Sequence, residues 1–431
     1  MIVNFSIQNF GSIKDKQTIS FEASNSIDLE EYYIIEPIKG IRLLKLMLIY
    51  GANASGKTTI LNALDFLRDT ILYPLKKKTD KLNFKPFLFD LNTPHENSIL
   101  TIDFIQNKVR YYYEIEFNIN AIIKEELYFY KPNKANVFKR LTDSEKQLTE
   151  IVFGKKIKTD KTFEKNLEAN TLWNNTVLGG FLKTNIELLE LKEVVDWFSI
   201  YLKALTYTNT QLENYITGQI HDSKIEKEIV IDILKKADFN ISDIIINKEK
   251  EFDKDLIKVF EALELSNETI ESIKSNPLQK IDFVHSVNKQ EYSIPFKLES
   301  QGTQRYYGFA GLLSLLIKSS VAFPIDELES SLHPDLYVNF LLSFLINAKQ
   351  SQILATTHNR EILNNKDIFR NDAIWFTDKN EFCATELYSL EDFDSKIIRD
   401  TSNIYNAYKT GKLGAIPHLG DHYIDISNEE K

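Results

Sequence analysis

Residues 51–58 read GANASGKT, two glycines five positions apart, the second followed at once by a lysine and a threonine. The run fits the pattern G-x-x-x-x-G-K-[ST], whose glycines let successive backbone N–H groups curl into an anion-binding concavity at a helix N-terminus. Chemistry of that kind suits a nucleoside triphosphate. Lys57 would reach the β- and γ-phosphates, and the Thr58 hydroxyl would ligate Mg²⁺. Far along the chain, Val321-Ala322-Phe323-Pro324-Ile325 is an apolar run that ends in Asp326 and Glu327. A carboxylate at a strand tip beside the phosphate loop would hold the hydration shell of the metal, a task assigned to Asp326. Glu327 would orient or deprotonate an attacking water. Ser300, Gly302 and Thr303 open an apolar helical stretch and would present a hydroxyl and backbone amides as a second anion-binding surface. Taken alone, that stretch is also an ordinary helix cap. His358 sits just past a predicted strand, where the strand end would meet the γ-phosphate.

These residues need elements to hold them. Leu46 to Tyr50 reads as a buried parallel strand. From Thr59 to Leu72, apolar residues at Ile60, Leu61, Leu64, Leu67 and Ile71 have helical spacing. The first forty residues read as strand, turn and strand, with Phe5, Ile7, Phe10, Ile13, Ile19 and Phe21 apolar. Ser98 to Phe104, Val109 to Phe117 and Ile122 to Tyr130 alternate as antiparallel hairpins, with turns at residues 106–108 and 118–120. Helix-forming, charged segments follow at 186–205, 224–237 and 254–273, with a short strand at 243–247. After 281 the pattern is a strand at 296–299, a helix from about 303, a strand at 321–326, a helix at 334–348, a strand at 352–356 and a helix at 360–363. Pro324 lacks an N–H for a central ladder, so a bulge is expected just before Asp326. Residues 1–145 and 281–431 thus form one α/β domain, interrupted by a mainly helical insertion at 146–280. No sustained heptad is present, which argues against a long coiled-coil arm.

Composition narrows the setting. The chain has 431 residues, of which 43% are apolar and 26% charged, enough for two domains and a large core. Its one cysteine, Cys383, excludes an intrachain disulfide and a Cys-cluster zinc site, and suits a reducing cytoplasm. The N-terminus lacks a signal-peptide pattern, and the longest apolar stretch, Phe309 to Ile317, is too short to cross a membrane. A net charge of −10 gives no global attraction for nucleic acid, and the lysine clusters at 76–78 and 155–161 read as solvated loops. Nucleic-acid contact is permitted but not indicated. Asp392 with Asp394, and Asp421 with His418 and His422, mimic metal-binding spacings, though an acidic loop and a solvated tail account for them more simply.

The order phosphate loop, Ser-x-Gly helix, Asp-Glu strand, then His resembles the ABC/SMC-type ATPase heads, including those termed AAA-type. Asn53 matches the G-x-N-x-[SA]-G-K-[ST] form of their loop, residues 299–303 (ESQGT) the shortened E-S-x-G-T signature, and residues 325–334 (IDELESSLHP) the Walker B and D-loop region. Residues 403–417 (NIYNAYKTGKLGAIP) resemble the tail of the RloA/AbiL-type abortive-infection ATPases of bacteria, with weaker likeness at DFNISDIIIN and around Trp197-Phe198. Pro324, and Gln301 where an acid is common, depart from the pattern. The resemblance implies an α/β P-loop NTPase head with an antiparallel β subdomain and a helical insertion. It implies ATP hydrolysis with Mg²⁺ in a homodimer or higher oligomer. ATP would be bound by Gly51, Asn53, Ala54, Ser55, Gly56, Lys57, Thr58 and Thr59, the metal by Thr58 and Asp326, with Glu327 and His358 catalytic. Ser300, Gly302 and Thr303 of a second protomer would complete the site. Function would be a switch in antiphage defence that controls a separate effector, a Toprim-type nuclease or an RloB-like protein, since about seventy residues after His358 are too few for a fused Toprim domain. The alternative is an SMC-like ATPase of DNA repair or chromosome maintenance, which calls for long coiled coils or a basic groove. A transporter subunit would keep the head compact, whereas about 270 residues separate Lys57 from Asp326.

Overall fold

Leu46–Gly51 is buried at every position, which explains why its sequence is apolar without alternation. The computed structural model describes residues 1–248, 279–393 and 404–417. In it this strand is the centre of a five-stranded sheet, flanked in parallel by Gln352–Thr356 and Ile374–Lys379. Ala322–Ile325 lies parallel beyond Gln352–Thr356, and Thr385–Ser389 closes the other edge antiparallel to Ile374–Lys379. Neither Ile374–Lys379 nor Thr385–Ser389 is among the strands expected from the sequence.

The central strand runs into helix Lys57–Leu72, which starts two residues before the expected Thr59 because Gly56 serves as its N-cap, at φ 108°. Ile60, Leu61, Leu64, Leu67 and Ile71 are fully buried, the face that their spacing predicts. A second, seven-stranded antiparallel sheet has the order Leu148–Phe153, Lys134–Asp143, Ile122–Tyr130, Val109–Phe117, Ser98–Gln106, Ile2–Gln8, Gln17–Ser20. Asn107 and Lys108, both at positive φ, make the tight turn that a two-residue hairpin loop requires. The boundary expected at 145 falls inside a hairpin. The carboxylate of Asp143 accepts the N–H groups of Glu145 and Lys146, turning the chain back so that Leu148–Phe153 joins the sheet.

The segment 186–205, expected as one helix, is helical only over Leu189–Asp196 and then widens into a π turn, Trp197–Tyr201. That turn buries Trp197, Phe198 and Tyr201 together, with Trp197 stacked 4.2 Å from Phe104. Beyond it the chain is extended beside Ala322–Ile325: Lys203 N–H donates to Ala322 O, Thr206 N–H to Pro324 O, and Asp326 N–H to Thr206 O. No bulge interrupts Ala322–Ile325, which stays in register with residues 352–355. Pro324 faces its missing N–H toward the 202–206 segment, and the extra residue is there, three steps from Lys203 to Thr206 against two from Ala322 to Pro324.

Within the expected insertion, helices Lys161–Asn170, Leu212–His221 and Lys227–Lys236 are present, and strand Ile241–Lys248 pairs with Gln279–Val287 in a three-stranded sheet. The helix expected at 254–273 lies outside the described residues, as do Asp394, His418, Asp421 and His422. Residues 296–299 hold a single 3-10 turn, Phe296–Leu298, in place of a strand, and residues 360–363 likewise form a 3-10 turn within Arg360–Asn364. Helix Gln301–Lys318 follows, and Leu212–His221 packs against it closely: a Cβ at Gly311 would lie 2.2 Å from Ile216 Cγ2. Helix Pro334–Asn347 leads from the Asp326 turn to strand Gln352–Thr356. Both large sheets and these helices share one continuous apolar core. Among the described residues no helix is long and apolar enough to cross a membrane.

Candidate functional site

The loop between the central strand and its helix is held rigid by hydroxyl groups from three distant segments. Ser55 Oγ lies 2.6 Å from Thr377 Oγ1, on the strand residue paired with Gly51. Thr385 Oγ1 donates to Ser55 O at 2.8 Å and lies 2.7 Å from Ser12 Oγ, which in turn is 3.1 Å from Thr59 Oγ1. A Cβ on Gly51 would come within 2.4 Å of both Ser55 Oγ and Thr377 Oγ1. One on Gly56 would come within 2.1 Å of Thr385 Oγ1. Both glycines are therefore required by contact, and Gly56 also by its left-handed backbone. Ala54 is left-handed as well, at φ 61°. Asn53 and Ala54 are exposed at the tip, and a concavity of about 200 Å³ is lined by Ser12 and residues 54–59.

Lys57 is buried, with its ammonium donating to the Gly51 and Ala52 carbonyls at 2.9 and 3.0 Å. Burial lowers its pKa, opposed by the charges of Asp326, Glu327 and Glu329. The Thr58 hydroxyl donates to the Asp326 carboxylate, at 3.0 Å to Oδ1 and 3.2 Å to Oδ2. Thr356, which sequence reasoning passed over, binds both acids: its hydroxyl donates to Asp326 Oδ1 at 2.6 Å and accepts the Glu327 N–H at 2.8 Å. Glu327 itself is held at φ 47°, an uncommon backbone for a non-glycine residue and one that clusters at functional sites. Its Oε1 lies 3.9 Å from His358 Nε2, both side chains being partly exposed. Burial, then the charge of Lys57, lowers the pKa of His358, opposed by Glu329, Glu327 and Asp326. The net effect favours the neutral ring.

Loop, acids and histidine thus converge. Ser300, Gly302 and Thr303 do not join them within the chain. Ser300 caps helix Gln301–Lys318, its Oγ accepting the Thr303 N–H at 3.1 Å and lying 2.8 Å from Thr303 Oγ1. A Cβ on Gly302 would meet nothing nearer than Ser300 Oγ at 3.7 Å and Ser331 O at 3.8 Å. The chain's own packing leaves room for a side chain there. Of the two alternative metal spacings, only Asp392 is described, and it accepts the Ser389 N–H in a capping box. Among the described residues no group of three or more His, Cys, Asp or Glu could hold a metal ion. The Thr58 hydroxyl and Asp326 carboxylate are the adjacent hard oxygen donors, a set that suits Mg²⁺ with water and phosphate completing its shell.

Ser12, Thr377 and Thr385 carry no motif that would mark them. Only the sheet order, which sets Ile374–Lys379 beside the central strand and Thr385–Ser389 beyond it, brings two of them to the loop.

A buried parallel strand, a glycine loop folded over a lysine, a helix, and an acid at the tip of a nearby parallel strand define an α/β P-loop NTPase. The chain belongs to the family described as "AAA domain, putative AbiEii toxin, Type IV TA system", whose model matches residues 46–364. The match takes in the loop, Ser300, Asp326, Glu327 and His358. Among solved structures, the chain is similar to an SmcHead bound to the C-winged helix domain of ScpA (14% identity, TM-score 0.43, covering 90% of this chain and 97% of that one). It is also similar to the SMC head domain from Thermotoga maritima (13%, 0.40, 90% and 98%). A third is an Smc head domain with an extended coiled coil bound to the C-terminal domain of ScpA derived from Pyrococcus furiosus (13%, 0.40, 96% and 98%). No curated protein sequence matches the chain.

Proposed function

We propose that this chain is a cytoplasmic ATP-binding and ATP-hydrolysing switch of bacterial antiphage defence, which dimerises around ATP and controls a separate effector. The observation that carries the reading is the Asp326 carboxylate, 268 residues from Thr58 in sequence yet bonded to its hydroxyl and to that of Thr356. Lys57 and the loop amides supply the positive surface for the triphosphate, and Thr58 and Asp326 would hold Mg²⁺. When bound, the ion neutralises charge on the β- and γ-phosphate oxygens. Glu327 orients the attacking water and accepts its proton, and the His358 ring supports the γ-phosphate side of the site. Ser300, Gly302 and Thr303 of the partner offer a helix N-terminus to the same phosphate. ATP then stabilises the closed dimer by mass action and hydrolysis releases it. The defence role is supported by the family's description and by the resemblance of residues 403–417, and the effector would be a nuclease or an RloB-like protein.

The test is calorimetric titration of Mg·ATP into the full chain and into Lys57→Ala. The parent is expected to bind and the variant to lose binding; equal affinities would remove the loop from nucleotide recognition. Isolating the native complex from phage-challenged cells tests the defence role, with a nuclease-like partner expected and DNA or a membrane protein counting against it.

A further inference from the structure

Glu329 lies two residues past Glu327 and has no part in phosphate binding as read above. Its Oε1 accepts the backbone N–H of His358 at 2.5 Å, and its Oε2 is shielded from solvent without a hydrogen-bond partner among the described residues. Half-burying a carboxylate on one backbone amide is unfavourable unless the tie itself matters. The loop it grips is pinned elsewhere too. Leu328 N–H donates to Thr356 O at 3.1 Å, the Tyr337 hydroxyl to Thr357 Oγ1 at 3.4 Å, and the Tyr50 hydroxyl to Asn359 O at 3.0 Å. Those contacts hold the residues on either side of His358, and among the described residues Glu329 alone holds its amide. At 3.9 Å the approach of His358 Nε2 to Glu327 Oε1 is loose enough that a small peptide rotation would carry the ring away. Glu329 also begins the turn through Ser331, whose carbonyl borders Gly302.

We propose that Glu329 is a positioning residue for His358, gripping the His358 amide so that the imidazole stays on the side of Glu327. The catalytic meaning of this rests on the ATPase reading, but the positioning itself does not. The bland alternative is a brace that merely stabilises the turn, and the two differ in what else changes.

Steady-state ATP hydrolysis by the full chain separates them, using Glu329→Ala, Glu329→Gln, His358→Ala and the Glu329→Ala/His358→Ala pair. Glu329→Ala is expected to lower kcat about tenfold or more with KM unchanged, the size of effect a misplaced group produces. Glu329→Gln, whose amide oxygen still accepts the N–H, should recover most of that loss. In the His358→Ala background, Glu329→Ala should cost nothing further, because its effect passes through His358. Equal losses in both backgrounds, or a raised KM with a lowered Tm and no rescue by glutamine, would overturn the proposal. If the parent hydrolyses no ATP, the ATPase reading fails by itself and the His358 ring resonance in histidine-labelled protein decides this one. It should move in Glu329→Ala and stay near the parental position in Glu329→Gln; a resonance unmoved in Glu329→Ala sinks the proposal.

Discussion

Asp326 Oδ1 accepts from both the Thr58 and the Thr356 hydroxyls, and the latter fixes the Glu327 backbone as well, so the two acids cannot be displaced independently. Such coupling makes Glu327 the place where a single atom exchange is most telling. Glu327→Gln keeps the shape and removes the proposed base. Hydrolysis should fall by about 10²–10⁴-fold, the range for losing a general base, while ATP stays bound. Size-exclusion chromatography with ATP should then show a trapped oligomer, whereas sustained turnover would remove Glu327 from the base role. His358 gives a pH prediction. The folded chain depresses its pKa below the ordinary 6.5 by burial and the nearby Lys57. On acidification the unfolded chain therefore takes up this proton first. The effect is absent above pH 6.5 and becomes a loss of stability as pH falls below it through the folded value. His358→Asn should flatten that part of the stability curve measured by denaturant unfolding; an unaltered curve assigns the loss elsewhere.

The elements show why some of this was legible and some was not. Leu46–Gly51 and Lys57–Leu72 announce themselves by an unbroken apolar run and a helical apolar spacing, and the loop between them by glycines that contact alone explains. The hydroxyl brace carries no such pattern. Thr377 and Thr385 bond to Ser55 from 322 and 330 residues away, and threonine on a strand is ordinary. The 186–205 segment departs from a single helix because burying Trp197, Phe198 and Tyr201 on one side overrides the α-helical period. Leu202 onward then takes up the backbone groups that Pro324 and its neighbours offer. That arrangement predicts a small effect for Pro324→Ala, whose new N–H would face the 202–206 segment and not the Gln352–Thr356 ladder. A large change in hydrolysis would mean that the proline restrains the acids directly. Gly56→Ala should be severe. Its Cβ meets Thr385 Oγ1 and its backbone is left-handed, so denaturant unfolding should report a loss of about 1–3 kcal/mol. A neutral result would show that the loop relaxes around the added methyl.

At the scale of the whole molecule, the proposed function divides the chain into two half-sites. The P-loop side has its lysine, acids and histidine gathered at one end of the parallel sheet. On the other side is the Ser300 cap with an unfilled place above Gly302, and among the described residues no hydrogen bond joins Ser300, Gly302 or Thr303 to residues 51–59. Among the described residues no close contact demands a glycine at position 302. On the proposed function, the approach of an anion on a second copy would. A head-to-tail dimer has two equivalent composite sites, so damage to the two halves can be placed on different chains. Lys57→Ala alone and Ser300→Arg alone should each be inactive in hydrolysis. Mixed in equal amounts and allowed to exchange, half the dimers would be hybrids, each with one doubly damaged site and one intact site. Activity should return to about one quarter of the parental value, as random pairing in a two-fold dimer requires. Were the mixture as inactive as its components, with hybrid dimers demonstrated by a tag on one chain, Ser300 would act within its own protomer or not at all.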